Sequence, residues 1–256
     1  MIRVLLMVCC TLQLWGYSDR DMDGVEDQYD QCPNTSLTEL VNLQGCTIKN
    51  LKSPHHFELR VGEHLLSDGS LELTTSSLQL GYYYKKLSLQ LRSSYFDGVD
   101  GSGQNDTYLG GYYQFGVDED WLVRVGGVLI LPTYEGKDNR LDTALSFYGR
   151  YLIGDMALLG GMSYTLIGDR ERNATRYDNR RFYSLGVGYY FSSHLYSSLS
   201  YNHGSGIYNQ SDGVERLAWF AYYRIDHHWF ANLSYTKGLN DRAIDRVMGG
   251  SLGYYW

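Results

Sequence analysis

The sequence predicts an all-β chain, an antiparallel transmembrane β-barrel of about 12 strands. Three observations predict it. From residue 56 onward, apolar residues alternate with polar ones at period two. The alternating segments run about 11 residues, long enough to cross a bilayer as tilted strands. The connections between them alternate between one or two residues and longer polar stretches. Short turns at one end and long loops at the other are the pattern of transmembrane barrels.

The expected strands are 56–66, 71–84, 87–97, 107–117, 120–131, 141–153, 155–167, 181–192, 194–205, 214–226, 228–238 and 246–256. Within 120–131, Trp121, Val123, Val125, Leu129 and Leu131 share one face, and Arg124 lies on the other. In 141–153, Leu141, Leu145, Phe147, Tyr151 and Ile153 oppose Asp142, Ser146 and Arg150. Such a barrel turns its apolar face to lipid and its charged face to the lumen. An even strand count puts both chain ends on the short-turn side, which is the periplasmic side in an outer membrane.

Composition agrees. Tyr contributes 25 residues and Gly 29, against 3 Pro. Mean hydropathy is −0.35, an average in which alternating faces cancel. No stretch after residue 16 reaches the roughly 20 apolar residues of a membrane helix. A net charge of −7 gives no footprint for nucleic acid.

The first residues read as a secretory signal over 1–18. Arg3 is the charged region, Val4 to Trp15 the apolar core, and Gly16 and Ser18 the small residues before cleavage. Removal of that segment leaves Cys32 and Cys46, a pair expected to form a disulfide in an oxidising compartment. The mature chain then divides into a 19–50 segment and a 55–256 barrel.

The 19–50 segment opens with carboxylates at alternate positions. Asp19, Asp21, Asp23, Asp27 and Asp30 occupy positions 1, 3, 5, 9 and 12 of a loop with Gly24 at 6. Calcium takes six to eight hard oxygen ligands, and Val25 offers a carbonyl at position 7. The expected ligands of a structural calcium are therefore Asp19, Asp21, Asp23, Val25, Asp27 and Asp30. With Gln31-Cys32-Pro33-Asn34-Thr35 and Gly45-Cys46, residues 19–47 resemble a thrombospondin type 3 repeat. The resemblance implies a calcium-binding linker on the periplasmic side of an outer-membrane protein. The last strand, with Met248, Leu252, Tyr254 and Trp256 on one face, resembles the signal that outer-membrane barrels present to the barrel assembly machinery.

Two features of the barrel could carry chemistry. Glu58, Arg60, Arg92, Arg124, Arg150 and Arg224 fall on the lumen face. They would form either a packed ion-pair network or a pore lining that favours anions. At the outer end of 194–205, parity puts His203 and Ser205 on the lipid face, and Glu215 on the next strand shares it. Ser205 as nucleophile, His203 as base and Glu215 as its orienter would suit a lipid esterase.

His203-Gly204-Ser205 followed by Asp212-Gly213-Val214-Glu215 resembles the lipid A 3-O-deacylase family over 181–225. Asn202-His203-x-Ser205 is also similar to the outer-membrane phospholipase A family. The chain departs from the first in having Gly206 after the Ser and two further strands after the Glu. Three function classes follow: a structural or binding barrel, a lipid-directed serine esterase, and a small-solute channel. Membrane lipids and lipopolysaccharide are the expected partners. The second is suggested by Arg170, Arg172, Arg176, Arg180 and Arg181, a basic run that would meet its phosphates.

Overall fold

The structure is a computed structural model. It describes residues 19, 21, 25–27, 29–33, 35, 41–46, 55–99, 101–116, 120–136, 139–168, 171–172, 175–206 and 212–256. The expected leader, Asp23 and Arg170 lie outside the described residues, as do the side chains of Arg172 and Arg176. Residues 1–53 and 54–256 form two compact units.

In the second unit, twelve long strands close into an antiparallel ring. They are β1 (His55–Asp68), β2 (Leu71–Tyr84), β3 (Leu87–Gly98), β5 (Thr107–Gly116), β6 (Trp121–Leu131), β7 (Asp142–Ile153), β8 (Met156–Leu166), β11 (Arg180–Tyr190), β12 (Leu195–Gly204), β13 (Val214–Arg224), β14 (Trp229–Gly238) and β15 (Arg246–Tyr255). Three short elements decorate the long loops: β4 (Gly101–Gln104), β9 (Glu171–Arg172) and β10 (Thr175–Arg176). Each expected strand is present within about two residues of its expected bounds. The short elements lie in stretches that the sequence presents as loop, because segments of two to four residues carry no periodicity to recognise.

Local chemistry sets the turns. Gly69, Lys85 and Gly154 take positive φ (58°, 53° and 59°) at tight hairpins, the geometry that matches strand twist. Asp226 orders the β13–β14 turn, its Oδ1 accepting the N–H groups of Trp229 and His228 at 2.7 Å each. Those two donors hold its carboxyl below the usual carboxylate range. A depressed value means that the turn is stabilised above the unfolded pKa and loses that support as pH falls through the folded one. Amide exchange at Trp229 and His228 should therefore accelerate below about pH 4 in wild type. In Asp226→Ala it should be fast at every pH.

The ring closes where β1 meets β15 in a continuous register from Glu58↔Tyr255 to Ser67↔Arg246. Phe57 and Trp256 exchange both backbone hydrogen bonds, at 3.0 and 3.1 Å, and their rings stack at 5.7 Å. No sheet edge remains in the main ring.

Sorting of side chains is inverted relative to a soluble barrel. Among the described residues the only buried apolar side chains are Ala157, Phe230 and Ala243. Leu185 is 70% exposed, Leu145 64% and Leu233 58%, all on the outward face. A contiguous outward belt of this kind suits lipid and not water. At the short-turn end the belt is rimmed by Phe57, Tyr82, Trp121, Tyr151, Trp229, Tyr254 and Trp256, whose rings meet in pairs (Trp121–Tyr151 tilted at 4.6 Å; Trp229–Tyr254 edge-to-face at 4.9 Å). At the long-loop end Tyr164, Tyr183, Tyr201 and Tyr235 face outward and form the second rim.

In the first unit, Cys32 and Cys46 form the expected disulfide, with a Cα–Cα distance of 5.0 Å. Gln31 N donates to Gln44 O at 2.9 Å, and Asn42 Oδ1 accepts from Gln44 N and Cys46 N at 2.9 and 3.0 Å. Thr35 Oγ1 reaches the carbonyls of Cys32 and Gly45 at 2.9 and 2.8 Å. A loop of about 15 residues closed in this way is worth roughly 3 kcal/mol. Converting both cysteines to serine should make this segment protease-sensitive while the barrel stays resistant; limited proteolysis of the folded chain reads both.

Candidate functional site: lumen and outer rim

Strand pairing carries one face around the whole ring. Arg60 lies opposite Gln79, Gln79 opposite Arg92, and Arg92 opposite Tyr108. Tyr148 pairs with Arg124, and Arg150 shares that parity on β7. Arg224 pairs with Phe230. All six charged residues expected on the lumen face are therefore there. Two more join them. Arg180 pairs with Thr165, and Arg216 with Asn202. In the sequence Arg180 reads as part of the basic loop, and the signal for Arg216 is the parity it shares with Val214, Ala218 and Phe220.

The arginines do not form an ion-pair network. Among the described residues the one ion pair is Arg60 Nη2 to Glu58 Oε1 at 2.6 Å. Glu58 is 1% exposed, and it also accepts from Tyr83 OH at 2.7 Å and Gln79 Nε2 at 3.4 Å. Four of the other arginines, Arg92, Arg124, Arg150 and Arg224, rest on aromatic rings or neutral oxygens. Arg124 lies 4.0 Å over Tyr112 and donates to Ser88 Oγ at 3.1 Å. Arg92 lies 5.0 Å over Tyr108. Arg150 donates to Tyr190 OH at 3.0 Å, and Arg224 to Ser193 O at 2.7 Å. Ring faces and neutral acceptors hold a guanidinium in place without cancelling its charge.

The lower lumen is partly filled. Phe230 is 1% exposed and stacks on Tyr255 at 4.6 Å and Tyr222 at 5.5 Å, with Arg60 5.5 Å from its ring. Its place is made by Gly253 directly opposite, where a Cβ would overlap the ring. Twelve strands fall between a barrel filled by side chains and a wide porin. The packing here narrows the bore without lining it with carboxylates. Near the long loops the lumen opens into a cavity of about 310 Å³, lined by Ser163, Thr165, Arg180, Phe182, Asn202 and Arg216 among others. No described carboxylate lines it.

The three esterase candidates are brought close but not joined. His203 and Glu215 are direct cross-strand partners. Ser205 lies just past the end of β12, where its Oγ accepts the N–H of Arg181 at 2.9 Å. That bond draws it toward β11, and it lines the cavity beside inward residues. No hydrogen bond links His203 to Ser205 or to Glu215 among the described residues.

Of the calcium candidates, Asp21 Oδ2 accepts from Thr35 N at 2.7 Å and Asp30 Oδ1 from Cys32 N at 2.8 Å. The Oδ1 atoms of Asp19 and Asp21 are shielded from solvent. Among the described residues no three acidic, His or Cys side chains converge on one point. Asp23, at the centre of the expected set, is not among them. The donors that are described, carboxylates and a carbonyl, suit a hard cation.

No known protein family and no curated protein matches the sequence. Among solved structures, the chain is similar to the NanC porin at 13% identity and a TM-score of 0.58, over 77% of this chain and 98% of that one. It is similar also to the KdgM porin in complex with disordered oligogalacturonate, at 9% identity and a TM-score of 0.53, over 78% and 98%. The chain has the closed, twelve-stranded antiparallel fold of porin-like outer-membrane barrels.

Proposed function

We propose that this protein is an outer-membrane channel of a Gram-negative bacterium that favours small anionic solutes, with residues 19–50 as a periplasmic calcium-stiffened segment. One observation carries the channel reading. Arg92, Arg124, Arg150, Arg180, Arg216 and Arg224 face the lumen with no ion-pair partner among the described residues, against Glu58, already bonded to Arg60, and, at the long-loop rim, Asp142, which accepts from Gly168 N at 2.7 Å. A wall so charged attracts anions and excludes cations within a Debye length. That one fold relative was seen with a polyanionic saccharide agrees with the sign of this charge.

The test is single-channel recording in planar bilayers under a salt gradient. The reversal potential should report chloride over potassium. A protein that inserts and never conducts would return the structural reading.

The periplasmic placement of the segment is supported by where β1 begins, at the short-turn end of the barrel. Calcium titration of the full chain by calorimetry should show one site. Asp21→Ala should weaken it at least tenfold, because removing a carboxylate from a hard-cation set removes charge as well as a ligand. A lipid esterase remains a second reading, favoured by the His203–Glu215 pairing. It requires Ser205-dependent acyl release from lipid A or phospholipid, read by mass spectrometry of wild type and Ser205→Ala.

A further inference from the structure

The outward face carries a charge arrangement that the channel does not use. Lys237 on β14 and Arg246 on β15 are direct cross-strand partners on that face, and both are exposed. Cβ atoms so paired stand about 4.5–5.5 Å apart, and like charges there destabilise the sheet. Neither side chain makes an ion pair with any described residue. Of the nearby carboxylates, Asp245 Oδ2 accepts from Gly69 N at 3.0 Å, and Glu215, the cross-strand partner of His203, makes no ion pair with either cation.

Depth adds the second observation. Lys237 follows Trp229 of the short-turn rim by 8 residues. At about 3.3 Å per residue and a tilt of about 40°, that is roughly 20 Å up an apolar band about 25 Å tall. The next outward residues below the pair are Tyr235, of the second rim, and Met248, themselves partners. The cations thus stand at the outer headgroup level. Beneath them the outward face continues through Leu233 opposite Gly250 and Ala231 opposite Leu252. Gly250 carries no side chain beside Leu233, so an apolar strip descends from the cation pair.

We infer that Lys237 and Arg246 form a docking site for a phosphate of lipid A, with an acyl chain lying along the Gly250 strip. A phosphate between the two cations converts their repulsion into two charge-assisted contacts, one of them a guanidinium fork suited to phosphate oxygens. The inference rests on the membrane placement of the barrel and is independent of whether it conducts.

The test uses the full chain, folded in detergent with chelator present. The probes are bisphosphorylated lipid A, dephosphorylated lipid A and inorganic phosphate, with binding read by native mass spectrometry. Wild type should hold bisphosphorylated lipid A at least tenfold more tightly than the Lys237→Gln, Arg246→Gln double variant. Dephosphorylated lipid A should bind both proteins equally. Lys237→Arg should keep the affinity, and heat-modified gel mobility should show every variant folded. Equal binding by wild type and double variant would overturn the site. Phosphate binding equal to that of lipid A would overturn the lipid as its occupant.

Discussion

Replacing Glu58 by alanine should lower the stability of the folded barrel by about 3–5 kcal/mol, the usual loss when one member of a buried pair is removed. The carboxylate is 1% exposed and has three partners: the Arg60 guanidinium, the Tyr83 hydroxyl and the Gln79 amide. Without it, Arg60 is left as an uncompensated charge against Phe230. Urea unfolding in phospholipid vesicles, followed by tryptophan emission, measures the loss. The double change Glu58→Leu with Arg60→Met should recover most of it, since an apolar pair of similar volume often matches a buried ion pair. If the single and double variants were equally unstable, the cluster would matter for its shape and not its charge.

The second large effect is on selectivity. Changing Arg92, Arg124 and Arg150 together to glutamine should reduce the anion-over-cation permeability ratio at least tenfold, a change of about 1.4 kcal/mol. A unit charge at roughly 6 Å from a passing ion contributes about 0.7 kcal/mol in water and nearly 3 kcal/mol at an effective dielectric of about 20. Three such charges are ample for that shift. Their anchors are neutral, being Tyr108, Tyr112, Ser88 and Tyr190, so their removal leaves no buried counter-charge behind. Reversal potential is the measurement. An unchanged ratio would place the selectivity elsewhere, with the outer cavity around Arg180 and Arg216 the next place to look.

Strand positions and facing were legible in the sequence because a membrane barrel writes both into one period-two pattern. Leu195, Leu199 and Tyr201 define an outward face as plainly in the sequence as in the structure. The lumen was harder. Parity located Arg60, Arg92, Arg124, Arg150 and Arg224, but it cannot say whether a guanidinium finds a carboxylate, a ring or solvent. That depends on the stagger between neighbouring strands, which brings Gly253 opposite Phe230 and Gly126 opposite Tyr112. An inward Gly facing an inward aromatic on the adjacent strand is a readable signal of lumen filling. Ser205 shows the limit of parity at a strand end. Alternation carries it outward, yet the strand stops at Gly204, and two hydrogen bonds with the Arg181 backbone, one through Oγ and one through the amide, hold it against β11.

The seam between β1 and β15 has a bearing on how the barrel is made. The two strands stand at opposite ends of a chain segment of about 200 residues, and every other long strand pairs only with sequence neighbours. Hairpins can therefore accumulate one after another, each cheap in loop entropy, while both edges stay open. Only the final join brings distant residues together, and the Phe57–Trp256 stack exists only after it. The indole at residue 256 is thus a built-in reporter of closure. Its quenching or shift should lag the appearance of β-structure, and the lag is the time the chain spends as an open, edge-exposed ribbon.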